Sequence, residues 1–303
     1  MLCVIGDLVE DVVVWLPQKL SYGTDTPAKI VRTRGGSAAN VAVFAATIAG
    51  DNRSGSRLIA QVGNDDLAER LVATLVDAGV HPCVVRSGRT GSIVVIVSPD
   101  GERTMITDRA AAIELVSPPA EWSTDVSILH VPAYSLFSGP IGSTSKQTIA
   151  EAKQRNIVVS IDASSASLID EYGVKQFREL ITELQPDIFF CNTDEAEVLH
   201  LDNHPLALSV VVIKAGSNPT TLIVGETTST VAVDPVAKIV DTTGAGDAFA
   251  AGFLTKLEAN IQILSSRALS TEPDMRLLGE CVVAGHETAA KVLRNPGATM
   301  DRI

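Results

Sequence analysis

The chain has 303 residues, 46% of them hydrophobic, and a formal net charge of −12. That much apolar mass is enough for one large core, and the acidic balance without a basic cluster excludes nucleic acid and anionic membranes as main partners. Four scattered cysteines, Cys3, Cys83, Cys191 and Cys281, form no CxxC pair and are expected to be buried thiols of a reducing compartment.

The opening MLCVIGDLVEDVVVWL carries acids and no basic leader segment, and no apolar run approaches the ~18 residues of a membrane span, so a cytoplasmic location is expected. Leu2 to Ile5 reads as a buried strand stopping at Gly6-Asp7, and Asp11 follows where open α/β sheets place ligands. A solvated loop acid would look the same. After a strand at Ile30 to Arg34, Gly35-Gly36 leads into an apolar small-residue helix capped by Gly50. Asn40, on its first turn among apolar neighbours, needs hydrogen-bond partners, which a polyol or the backbone could supply. Leu58 to Val62 predicts a strand, and Asp65 to Ala78 an amphipathic helix with Leu67, Leu71, Leu75 and Val76 on one face. Thr90 to Arg109 contains two β-rich segments about Pro99-Asp100-Gly101, a hairpin signal. With segments near 11–33, residues 91–109 are expected to form a small sheet set apart from the main body.

From Ser127 onward, apolar runs of four to six residues alternate with amphipathic segments. The strands SILHV, NIVVSID, DIFFC and SVVVIK predict a largely parallel sheet covered on both faces, within a single α/β domain spanning 1–303. The run Val240 to Lys256, VDTTGAGDAFAAGFLTK, is the chemical centre. Gly244 and Gly246 let the backbone approach a ligand, and a helix N-terminus follows, where unpaired N–H groups favour an anion such as phosphate. Asp247 in such a place is either a helix cap or a proton acceptor for an attacking hydroxyl. As an acceptor with an ordinary pKa near ~4, it would suffice for a loose transition state in which the proton leaves late.

GGSAAN at Gly35 to Asn40, NTDE at Asn192 to Glu195 and DTTGAGDAFAAGF at Asp241 to Phe253, in that order, resemble the ribokinase/PfkB family of carbohydrate kinases. The resemblance implies a ribokinase-like three-layer α/β sandwich with a small β-sheet lid, a homodimer formed through that lid, and ATP-dependent phosphorylation of a sugar hydroxyl with Mg2+. Asp247 matches the family's catalytic base and Gly244, Ala245 and Gly246 its anion hole. Asp11, Gly35, Gly36 and Asn40 match sugar-binding positions. Asn192 and Glu195 match the NxxE element that places magnesium through water, although the same pair also suits a helix cap. Lys214 and Gly216 match the nucleotide-lining strand end, and His286 falls beside the adenine position. Asp241 and Thr243 match ligands of a monovalent cation such as K+.

Departures from the pattern matter as well. Val9 and the His130 to Tyr134 stretch stand where ribose-specific members keep Asn and Glu, which puts ribose in question. Arg103 and Arg109 bracket the return strand of the lid hairpin, and Arg109 is a candidate reader of a carboxylate on an acidic sugar. There is no GxxxxGK[ST] motif, so the phosphate site is not a P-loop. Two alternatives stand beside the sugar kinase. A nucleoside kinase of the same fold would want stacking aromatics, of which this chain has 4%. A non-catalytic sugar sensor would not need Asp247.

Overall fold

The computed structural model describes residues 1–50, 55–137, 139–261 and 274–300. In chain order, the first strands are β1 (Leu2–Ile5), β2 (Val9–Trp15), β3 (Lys29–Gly35), β4 (Arg57–Val62), β5 (His81–Arg86), β6 (Thr90–Val97) and β7 (Arg103–Ala110). The later ones are β8 (Ile128–Pro132), β9 (Val158–Asp162), β10 (Ile188–Asn192), β11 (Val210–Lys214), β12 (Thr220–Val224) and β13 (Thr227–Val231). The helices are α1 (Ser37–Ala49), α2 (Asp66–Asp77), α3 (Gly139–Gln154), α4 (Ala166–Tyr172), α5 (Val174–Leu184), α6 (Thr193–Val198), α7 (Ala245–Glu258) and α8 (Met275–Val292).

A nine-stranded sheet in the order β13-β12-β11-β10-β9-β8-β1-β4-β5 forms the middle layer. It is parallel from β5 to β11, and β12 and β13 add an antiparallel edge. Because successive side chains point to opposite faces, each strand feeds two cores. Val4, Leu58 and Ala60 join the apolar layer with α1, α2, α7 and α8, while Cys3, Ile5 and Ile59 join the layer with α3, α4 and α5. That double burial is why these strands are continuous apolar runs, and why the chain is a three-layer α/β sandwich. All four cysteines are buried free thiols. On the α7 side, Phe190 and Phe253 meet edge-on with ring centroids 5.1 Å apart. Each such buried ring contributes about 1.5–3 kcal/mol through burial.

A separate four-stranded sheet has the order β3-β2-β6-β7. Its own core is small, centred on Val9, Val13, Ile93 and Val95. The segments expected near 11–33 and 91–109 lie within it. Strand β7 has most of its length exposed, including Met105 and Ile106.

Two expectations need correction. Val76 is exposed, and Ala68, Leu71 and Leu75 form the buried face of α2. One residue is 100° of helix, so Val76 cannot share the stripe of Leu75. Strands β5, β12 and β13 were not anticipated. The last two are Thr-rich and border the sheet, where one face is solvated and the apolar signal thins.

Candidate active site

Gly244 opens α7 in the left-handed region at φ 76° and provides no side-chain cap. A Cβ there would stand 2.7 Å from the Ala298 Cβ, so only glycine lets the turn close against the 295–298 loop. Among the described residues, the Gly246 and Asp247 N–H groups find no protein acceptor, which leaves them available to an anion.

Asp247, in the first turn of α7, is gripped from α1. Ser37 Oγ donates to Oδ1 at 2.7 Å and Asn40 Nδ2 donates to Oδ2 at 2.8 Å. Burial pushes the carboxyl up to about 7, against these two hydrogen bonds and Lys214, which favour its charge. The ordinary acidity expected from sequence is therefore corrected: the Asp247 carboxyl titrates near neutral pH.

The amide of Asn40 has a fixed orientation because its Oδ1 accepts from Arg34 Nη1 at 2.6 Å. Arg34 lies one residue before the double glycine and also reaches the Ala298 carbonyl at 3.4 Å. Burial pulls this guanidinium down to about 10, with Asp11 and Asp247 opposing that fall. Asp11 lies against Gly35, where a Cβ would sit 2.0 Å from Asp11 Oδ1. Burial, reinforced by Asp7, raises the Asp11 carboxyl to about 6. Gly36 has φ 100°, and its missing Cβ would meet the Asp7 carbonyl oxygen at 2.5 Å. Asp7 Oδ1 in turn accepts from the Ala38 N–H at 3.2 Å. Arg109 is committed to Tyr134: Nη1 donates to its carbonyl at 3.2 Å and the guanidinium lies 4.5 Å from its ring centroid.

On the other side of the α7 entrance, Lys214 ends β11. Its Nζ donates to Asp162 Oδ2 at 2.6 Å and lies 3.4 Å from where a Gly246 Cβ would be. Burial alone would lower this ammonium, but Asp162 and Glu195 outweigh it and raise the pKa. Asn192 and Glu195 form a full capping box: Asn192 Oδ1 accepts the Glu195 N–H at 2.8 Å, and Glu195 Oε2 accepts the Asn192 N–H at 2.8 Å. Glu195 is buried, and desolvation together with Asp162 raises its carboxyl. Gly216, at φ 60°, sits on the open turn after β11. His286 of α8 pairs its Nε2 with Thr220 Oγ1 at 2.8 Å and packs 5.4 Å from the Phe249 ring, beside the antiparallel edge.

Asp162 and Glu195 suit magnesium held through its own waters, because Lys214 and the Ser164 N–H already engage Asp162 and Asn192 engages both oxygens of Glu195. They are hard, buried carboxylate donors, and among the described residues the Lys214 ammonium favours the charge of both. Among the described residues, no three His, Cys, Asp or Glu side chains converge as a complete metal cage. Magnesium needs none, since it keeps waters and binds through one or two carboxylates plus substrate phosphates. Asp241 and Thr243 are differently engaged. Asp241 Oδ1 accepts Arg103 Nη2 at 2.7 Å and the Thr243 N–H at 2.8 Å, while Arg103 Nη1 donates to Thr243 Oγ1 at 2.8 Å.

Sequence reasoning missed Arg34, Ser37 and Asp162. Asp162 had a signal, an acid closing an otherwise apolar strand at the sheet end where ligands bind. Ser37 and Arg34 had none beyond proximity to the glycines.

The sequence matches the pfkB family carbohydrate kinase model over residues 1–302. The chain belongs to the pfkB family of carbohydrate kinases. This kinase is 28% identical over 297 residues to a fructokinase of Klebsiella pneumoniae, covering 92% of this chain and 90% of that protein. It is 28% identical over 269 residues to an ATP-dependent 6-phosphofructokinase of Thermoanaerobacterium thermosaccharolyticum, covering 84% and 80%. The fructokinase of Xylella fastidiosa, solved with bound ATP, shares the fold at a TM-score of 0.83 with 19% identity, covering 98% of this chain and 93% of that one. The kinase is thus an ATP-dependent phosphotransferase with an alcohol group of a small carbohydrate as acceptor, and the nucleoside and sensor readings are not favoured. No described helix is long and apolar enough to cross a membrane.

Proposed function

We propose that Asp247 takes the proton from the sugar hydroxyl that attacks ATP, and that the acceptor is a neutral sugar of the fructose kind. The observation that carries this is the double grip on Asp247 from α1, which fixes a carboxyl titrating near 7 at the entrance of α7. Asn40 and Asp11 hold the sugar over Gly35 and Gly36, and Arg34 holds Asn40. Arg109 shapes the wall through Tyr134, against whose ring and carbonyl its guanidinium lies. The Ala245 N–H is taken by the Thr242 carbonyl, so the free N–H groups of Gly246 and Asp247, with the Lys214 ammonium, receive charge on the transferring phosphoryl group.

Asp162, Glu195 and Asn192 would hold magnesium, which when bound neutralises phosphate charge. Gly216 and His286 line the nucleotide. The names of the related fructokinases support the choice of sugar. The chain folds as one domain with its small sheet as a lid, and the exposed Ile30, Met105 and Ile106 of that sheet support a homodimer formed there, in the cytoplasm.

The test is ADP release by the purified protein across fructose, other hexoses, pentoses, keto-deoxy acids and nucleosides. Fructose should be turned over and Asp247→Asn should abolish the signal. Turnover of nucleosides alone, or an active Asp247→Asn enzyme, would overturn the proposal.

A further inference from the structure

The family resemblance implies a monovalent metal ion at Asp241 and Thr243, just before the anion-hole turn, and the geometry there points elsewhere. Arg103, the first residue of β7, reaches out of the small sheet across 138 residues of sequence. Its Nη2 donates to Asp241 Oδ1 at 2.7 Å and to Thr242 Oγ1 at 2.9 Å, and its Nη1 to Thr243 Oγ1 at 2.8 Å. Asp241 Oδ1 also accepts the Thr243 N–H and hydroxyl, and Oδ2 accepts the Gly297 N–H at 2.9 Å. Every side-chain oxygen that a cation would take is therefore already bound to a proton donor. One of those donors carries a permanent positive charge that would repel a second cation at contact distance.

We infer that the Arg103 guanidinium supplies the positive charge behind the anion hole in this kinase, so that it is a positioning residue for the 244–246 turn and no potassium ion is needed. The inference rests on the reading of that turn as the phosphoryl site. Three hydrogen bonds from one planar fork fix Asp241, Thr242 and Thr243, and Thr242 in turn accepts the Ala245 N–H at 3.2 Å. The turn is thereby ordered only while the small sheet lies against it. A soluble ion would give no such link between the two sheets.

The experiment compares wild type, Arg103→Lys and Arg103→Ala in choline, sodium and potassium chloride at equal ionic strength, reading both melting temperature and steady-state kinetics. Wild type should melt at the same temperature and turn over at the same rate in all three salts. In choline, Arg103→Ala should lose roughly 10–100-fold in kcat, as expected for a misplaced catalytic turn, with a smaller change in the KM for ATP. Millimolar guanidinium or potassium should restore part of that loss. Arg103→Lys, which keeps a charge but not the fork, should fall between the two. A wild-type melting temperature that rises with potassium would sink the inference whether or not any sugar is phosphorylated. Full turnover by Arg103→Ala in choline would sink it too. Absence of turnover by wild type, with melting indifferent to potassium, would instead count against the catalytic reading of the turn.

Discussion

The entrances of α1 and α7 are built alike and do opposite things. Each begins at a glycine with positive φ, 100° at Gly36 and 76° at Gly244, and each continues as a helix of small apolar residues. At α1 the free N–H groups are answered from within, because Asp7 offers Oδ1 to Ala38 and its carbonyl to Ala39 at 3.3 Å. At α7, among the described residues, no acid accepts the Gly246 and Asp247 N–H groups, and the Lys214 ammonium lies 3.4 Å from where a Gly246 Cβ would be. The plugged entrance serves as a platform of fixed donors, and the open one is left to attract an anion. Two similar glycine turns thus acquire different chemistry from what distant segments bring to them.

The comparison breaks most visibly at Asp247, where the two entrances touch. Asp247→Asn should lower kcat by roughly 10²–10⁴ with ATP affinity nearly unchanged, measured by steady-state kinetics and nucleotide titration. Next is Arg34→Met, which frees the Asn40 amide and removes the cation beside Asp11 and Asp247. The sugar KM should rise by about 10-fold or more while the ATP KM holds, as expected for a lost charged hydrogen bond. The acid limb of the rate profile should move to higher pH.

The pH dependence of wild type is led by Asp247, with the raised carboxyls of Asp11 and Glu195 adding to the acid limb. Below about 7 the Asp247 carboxyl is protonated and cannot act as base, so kcat/KM should fall at least about 10-fold per pH unit there and level off above. Stability should run the other way. A carboxyl raised from ~3.9 in the unfolded chain favours the fold at low pH and loses that contribution as pH rises through 7. Asp247→Asn should therefore melt higher than wild type at pH 8, and the gap should narrow as pH falls below 7 and close near pH ~4, the unfolded pKa. The smallest effect belongs to the plugged entrance. Asp7→Ala should cost about 1 kcal/mol, the usual worth of a helix cap, seen in urea unfolding.

Much of this was legible because burial writes itself into sequence. Strands β8 to β11 are covered on both faces and so appear as mostly apolar runs, broken mainly by polar residues at their ends. The amphipathic segments between them were readable as helices because each, like α5, has one wet face. Threonine-rich β12 and β13 gave no such signal. In the site, Asp247 and Asn40 stood out as polar residues in apolar surroundings. Arg34 did not, since an arginine at the end of a strand is usually a solvated one, and only the fold shows it half-buried against Asn40. The raised carboxyls were likewise beyond sequence, because desolvation depends on what the α1 and α7 layers exclude together.

The hydrogen bond between Ser37 and Asp247 joins residues 210 apart in sequence, and that separation bears on when activity can arise. The platform at α1 is synthesised early, with the first strand it packs against. The anion turn comes four-fifths of the way along, and the Ala298 contact that shapes it comes last. Loop closure over such distances is slow and is completed only once both partners exist. A chain shortened before the 295–298 loop should hence build most of its central sheet and still be catalytically silent. Residues 295–298 act as the step that switches an assembled scaffold into an enzyme.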